Sequence, residues 1–91
     1  MNGQPKVAVS LWWIFFGVIV GRPEGSCVVA GYNPESAVFR ARNELGLIPD
    51  GHEIWKVNFI DKPEMVAGNK MARRLAANEV PFLQATSTGT A

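Results

Sequence analysis

The chain has 91 residues, room for one domain and no second, and its 47% hydrophobic against 19% charged residues exclude a disordered polyelectrolyte. Nine Lys and Arg against eight Asp and Glu give a formal net charge of +1, so bulk attraction to nucleic acid or to an acidic membrane is excluded and any such binding must come from a local patch. The single cysteine, Cys27, excludes an intrachain disulfide framework and a multi-thiolate metal site and favours a reducing, cytoplasmic setting.

Residues 1–5 read as a polar leader, and the ordered core is predicted over about 7–80. Residues 7–20 are dominated by β-branched and aromatic side chains, which suit a pleated strand. The apolar run of residues 7–21, bounded by Lys6 and Arg22, is also the one segment that resembles a membrane anchor. As a helix it would span roughly 22 Å, short of the ~30 Å hydrocarbon core.

Arg22-Pro23-Glu24-Gly25 carries turn chemistry, and residues 26–32 are predicted to return as a second strand. Asn33-Pro34-Glu35 is a helix start, with a capping side chain, a proline that needs no amide partner and an acid at the positive end. Ala37, Ala41 and Leu45 share one face of the helix, and Gly46 before Pro49 stops it near Leu45. Asp50-Gly51 turns the chain into a third strand over 52–60, where Trp55, Val57 and Phe59 alternate with Lys56 and Asn58. Asp61-Lys62-Pro63-Glu64 reads as a capping box opening a second helix through Met65, Met71, Leu75 and Ala76. That helix must end at Val80-Pro81, leaving residues 84–91 as a polar tail. The expectation is a small single α+β domain over residues 1–91 in the order β-β-α-β-α, its three-stranded, mostly antiparallel sheet carrying two helices on one face.

Catalytic chemistry has little to work with. Cys27 and His52 form the one nucleophile dyad the composition allows, yet Cys27 sits in an apolar strand like a small buried hydrophobe and His52 follows a turn at a strand entrance. The carboxylates are scattered, and Gly21-Arg22-Pro23-Glu24-Gly25 lacks the Lys-Ser/Thr of a phosphate loop. These residues predict a non-enzyme without cofactor or metal.

The first strand is apolar on both faces: Leu11, Trp13, Phe15 and Ile19 alternate with Trp12, Ile14, Phe16, Val18 and Val20. Two helices on one side of a small sheet leave the other face open, which points to a protein partner or a second copy. Trp12, Trp13, Phe16, Val18 and Trp55 are the candidate contacts, aromatic anchors being the usual centre of an interface. The competing arrangement folds Phe82 and Leu83 across that face within the chain. Lys70, Arg73 and Arg74, three and four residues apart on the second predicted helix, could meet phosphates or an acidic partner, so a small nucleic-acid-binding domain is an alternative. A membrane-associated subunit anchored by residues 7–21 is the other.

The layout resembles that of small phage and mobile-element accessory proteins, anti-CRISPR inhibitors and virion components among them. The resemblance rests on Gly25-Ser26-Cys27-Val28-Val29-Ala30, the capped helix from Asn33 to Gly46 and the edge-like strand over 52–60. It implies a stoichiometric binder in the host cytoplasm, an inhibitor or an assembly protein, and carries over no individual functional residue.

Overall fold

The computed structural model of the protein describes residues 9–19 and 21–83. It is an α+β fold built on one antiparallel sheet of four strands in the order β3-β1-β2-β4. The strands are β1 (Ser10–Gly17), β2 (Gly25–Gly31), β3 (Glu53–Phe59) and β4 (Leu75–Ala76), and helix α1 (Pro34–Phe39) runs on into a π-helical turn (Arg40–Glu44). The predicted leader, the polar tail and the strand positions Val7 and Val20 lie outside the described residues.

The β1–β2 reversal falls earlier than the Arg22-Pro23-Glu24-Gly25 turn read from the sequence. Arg22 N–H donates to the Ile19 carbonyl at 3.0 Å, and Gly21 takes the positive φ (+84°) that a tight turn asks of its third residue. The start of α1 follows its local code. Asn33 Oδ1 accepts from Ser36 N–H at 2.7 Å, while Ser36 Oγ accepts from Asn33 N–H at 3.1 Å, a reciprocal capping box. At the other end Leu45 N–H reaches back to Arg40 and Leu47 N–H to the Ala41 carbonyl at 2.8 Å, with Gly46 left-handed at φ +63°. That closure is one residue wider than an ordinary Schellman stop, because the last turn is π rather than α.

Ala37 and Ala41 are fully buried and let α1 lie close on the sheet, where the core gathers Ile14, Phe16, Cys27, Val29 and Ile48. Contact is closest at Gly31, where an added Cβ would sit 2.8 Å from the Ala37 nitrogen. Neither backbone can yield there, so Gly31→Ala is expected to lower stability by about 1–3 kcal/mol through overpacking, read as a lower urea midpoint with an unchanged slope.

Two expectations need correction. On β3, the alternation read from the sequence puts Trp55, Val57 and Phe59 on one face of the strand. The register instead steps from Phe15↔Lys56 to Phe16↔Ile54, so Trp55 is the extra residue of a bulge. The bulge shifts the alternation by one, putting Ile54 with Val57 against the core and leaving Trp55 40% exposed.

The second correction is larger. No second helix forms over 61–76; the chain makes two 3-10 turns (Pro63–Met65 and Gly68–Lys70) and then β4, and Lys62 gives no side-chain cap to the first. A helix would have satisfied its own amides but left the edge of β2 bare, and Gly68 weakens it in mid-course. Instead the segment gives its backbone to the sheet: Ala72, left-handed at φ +53°, donates to the Val28 carbonyl at 2.9 Å, and Ser26 and Gly25 pair with Leu75 and Ala76. One helix therefore covers one face of the sheet, and the non-helical segment 61–83 crosses the other.

Candidate functional site

The five aromatic and apolar positions singled out as protein contacts do not form one surface. Phe16 is buried to 1% beneath α1, and the His52 ring meets it edge-on at 5.7 Å. It is a core residue, because β1 alternates and the even positions Ile14 and Phe16 face the helix. Trp12 lies half-buried on the same side, its indole N–H donating to the Gly31 carbonyl at 3.0 Å and its ring edge-on to Phe59.

Trp13 is on the opposite face, which is not open. Its ring packs edge-on against Phe82 at 5.4 Å and beside Phe15 at 4.7 Å, and its N–H donates to the buried Ser26 hydroxyl at 2.9 Å. Val28, Ile60, Leu75 and Pro81 are buried outside the helix-side cluster. The arrangement in which Phe82 folds across the second face is the one the chain adopts; Leu83, 53% exposed, contributes its N–H to the Met65 carbonyl instead. The argument from a fully open aromatic face therefore fails, since the segment 61–83 packs across it and Leu11, Trp13 and Phe15 are half-buried.

Val18 and Trp55 remain exposed, and the fold brings them together. β1 ends at Gly17 beside the start of β3, so Val18 and Ile19 border a hollow of about 180 Å³ with Glu53, Ile54 and Trp55. Val18 is 58% exposed. Gly17 leaves no room for a side chain here, since a Cβ would lie 2.6 Å from the Arg22 carbonyl oxygen. The sequence marked Val18 and Trp55 separately, but only the bulge in β3 turns Trp55 outward at this hairpin tip.

The basic trio is not a helix face. Lys70 and Arg73 both pair with Glu79, Arg73 at 2.9 Å, and Ala76 N–H donates to the second carboxylate oxygen at 3.0 Å. Arg73 Nε also donates to the Asn69 carbonyl at 2.7 Å. Arg74 turns the other way and donates to the Leu47 and Gly46 carbonyls in the loop after the π-helical turn, at 2.9 and 3.3 Å. Three cations that read as a phosphate-facing row thus stabilise the 68–79 loop and the loop after the π-helical turn.

Glu79 is the hub of that loop. The hydrogen bond from Lys70 comes first, and with the Ala76 amide and Arg73 it holds the carboxyl down at about 2. Because Glu79 ionises more readily in the folded protein than in the unfolded chain, its contribution is whole above its ordinary value of 4.5 and is lost as the pH falls toward about 2. Between those limits the urea midpoint of the wild type is expected to fall more steeply than that of Glu79→Gln, which has no carboxylate to lose.

Cys27 is fully buried, and burial pushes its thiol up to about 12, against a smaller opposing pull from Arg74. Such a thiol is not the thiolate a nucleophile dyad uses. His52 borders a hollow of about 280 Å³ with Glu24 and Arg74, and its Nδ1 is buried without a hydrogen-bond partner among the described residues. The sequence offered His52 only Cys27 as a companion; the fold adds Glu24, which accepts from Val18 N–H at 3.4 Å, and the carbonyl-bound Arg74. Among the described residues no group of three or more His, Cys, Asp or Glu is placed to hold a metal ion, and no helix is long and apolar enough to cross a membrane.

A groove of about 540 Å³ runs between α1 and β3, lined by Glu35, Val38, Phe39 and Arg42 from the helix and Ile54 and Val57 from the strand. Sequence reasoning missed it, having assigned α1 only its buried Ala37/Ala41/Leu45 face. The signal was Phe39, an aromatic off that face, which is 58% exposed. No protein-family model, no curated protein and no solved structure matches the chain.

Proposed function

We propose that the chain is a non-enzymatic protein-binding module, an inhibitor or assembly protein of the phage accessory type, that acts by stoichiometric contact through the hairpin tip of Val18, Ile19 and Trp55. The observation that carries this reading is the tip itself: two aliphatic side chains and an indole, all exposed, converge from β1 and the β3 bulge on one hollow. A cluster of this kind is a source of association free energy, and tryptophan is the residue type most enriched among interface hot spots. The bulge supports the reading, since bulges re-aim single side chains at sheet edges.

The nucleic-acid alternative draws less support, because Lys70 and Arg73 are matched by Glu79 and Arg74 is committed to the Gly46 and Leu47 carbonyls. Salt separates the two. A partner protein held at the tip stays bound as ionic strength rises, whereas phosphate contacts weaken steeply. The test passes host extract over the immobilised protein at low and high salt. A protein retained in fixed molar ratio by the wild type and by Arg73→Ala, and released by Trp55→Ser or Ile19→Ser, supports the tip. Retained nucleic acid that is lost with Arg73→Ala and with salt overturns it.

A further inference from the structure

We infer that the groove-lining face of α1 is a self-association surface on which a second copy of this chain lays its own α1 antiparallel about a two-fold axis. The groove shares only Ile54 with the hollow at the hairpin tip, and the inference stands without the tip. Glu35, Val38 and Phe39 of α1 and Arg42 of the π-helical turn that continues it all line the groove between α1 and β3, so they present one stripe along its rim. The stripe reads acid, apolar, apolar, base.

That order is self-complementary in one orientation. With the two-fold axis between Val38 and Phe39, Glu35 of each copy faces Arg42 of the other, and the two apolar pairs meet at the centre. A parallel arrangement would set Glu35 against Glu35 and Arg42 against Arg42, which is repulsive. The charges are available for this. Among the described residues neither Glu35 nor Arg42 forms an ion pair. Arg42 donates one N–H to the His52 carbonyl at 3.3 Å, which holds its stem along the groove rim. The flanking charges, Arg40 and Glu44, are matched with each other at 3.5 Å.

The centre has the right shape as well. Phe39 stands exposed beside a groove with the half-buried Val38, Ile54 and Val57 as its walls, so the ring of each copy has an apolar seat on the other. The pairing also removes from water an aromatic that no segment of its own chain covers among the described residues.

Sedimentation across a concentration series tests the assignment. The wild type is expected to reach twice the chain mass. Glu35→Lys and Arg42→Glu, each alone, should raise the dimer dissociation constant about tenfold by setting like charges together. An equimolar mixture of those two variants should recover the wild-type affinity, because every facing pair in the mixed dimer is again opposite in sign. Phe39→Ser, at an exposed position, should be monomeric with an unchanged far-UV spectrum, and it decides the matter if a charge variant fails to fold.

A wild type that stays monomeric throughout overturns the proposal, as does a mixture no tighter than its components or a Phe39→Ser that remains dimeric. A dimer dispersed by Trp55→Ser but untouched by the α1 variants would move self-association to the hairpin tip and overturn it too. A monomer whose Phe39→Ser variant loses a different protein would give the face to that partner. Loss of the tip's partner with Trp55→Ser leaves this dimer intact, so the two readings fail separately.

Discussion

Phe16→Ala is expected to lower the unfolding free energy by about 3–5 kcal/mol, a large fraction of the roughly 5–15 kcal/mol that holds a domain of ordinary stability together. The ring is 1% exposed and lies within the cluster of Ile14, Cys27, Val29, Ala37 and Ala41, with His52 against its edge. Little can collapse into the space it leaves: β1 is hydrogen-bonded on both sides, to β2 and β3, and α1 rests on Gly31. Gly25 adds to this, since its missing side chain would meet the Phe16 ring at 2.9 Å, so the ring and that glycine are matched to each other. Urea unfolding followed by circular dichroism checks the magnitude. Val18→Ser, at the exposed tip, serves as the contrast and should stay within about 0.5 kcal/mol of the wild type. Equal stability of Phe16→Ala and the wild type would mean that Phe16 is a surface residue after all.

Trp13→Ala carries the second large effect, again about 3–5 kcal/mol, on the other side of the sheet. Three losses combine there: the edge-on contact with Phe82, the pairing with Phe15 and the hydrogen bond to Ser26. Ser26 is 1% exposed, so removing its partner leaves a hydroxyl in the interior, with a penalty of about 1–3 kcal/mol contained in that total. Trp13→Phe keeps most of the apolar area and loses the N–H, so it should fall between wild type and Trp13→Ala. The readout that separates a covered face from an open one is the binding of a hydrophobic dye. The folded wild type should bind little of it through this face, while Phe82→Ala, which uncovers Trp13, should bind more. A stable Trp13→Ala whose only defect is loss of a partner would return the face to the interface role read from the sequence.

Both effects bear on function by exclusion. A binding defect in Phe16→Ala or Trp13→Ala reports unfolding, and only exposed positions can separate recognition from stability. Val18, Ile19 and Trp55 at the tip, Glu35 and Phe39 on α1 and Arg42 on the π-helical turn after it meet this condition. The proposed tip and the proposed helix stripe can therefore each be tested at exposed side chains without disturbing the core.

What the sequence by itself determined were the features whose cause is local. Asn33 and Ser36 cap the helix through atoms three residues apart; Gly46 and Gly51 take left-handed conformations, φ +63° and +84°, where the stop and the turn were read; and β-branched and aromatic composition located β1, the chain reversal β2 and alternation β3, each to within a few residues. What only the tertiary structure decided were the features whose cause lies across the fold. β4 exists because β2 offered an unpaired edge to Leu75 and Ala76, and Ala72 donates there too, although the run from Lys70 to Ala76 consists of good helix formers and only Gly68 and Asn69 before it disfavour a helix. The exposure of Trp55 depends on a single-residue register step against β1, which no period within β3 encodes. The fate of Lys70, Arg73 and Arg74 turned on Glu79 and on the carbonyls of Gly46 and Leu47, up to 28 positions away in sequence. Local hydrogen bonding writes caps and turns into neighbouring residues, whereas a sheet face or edge is closed by whichever distant segment reaches it, and that choice is made by packing.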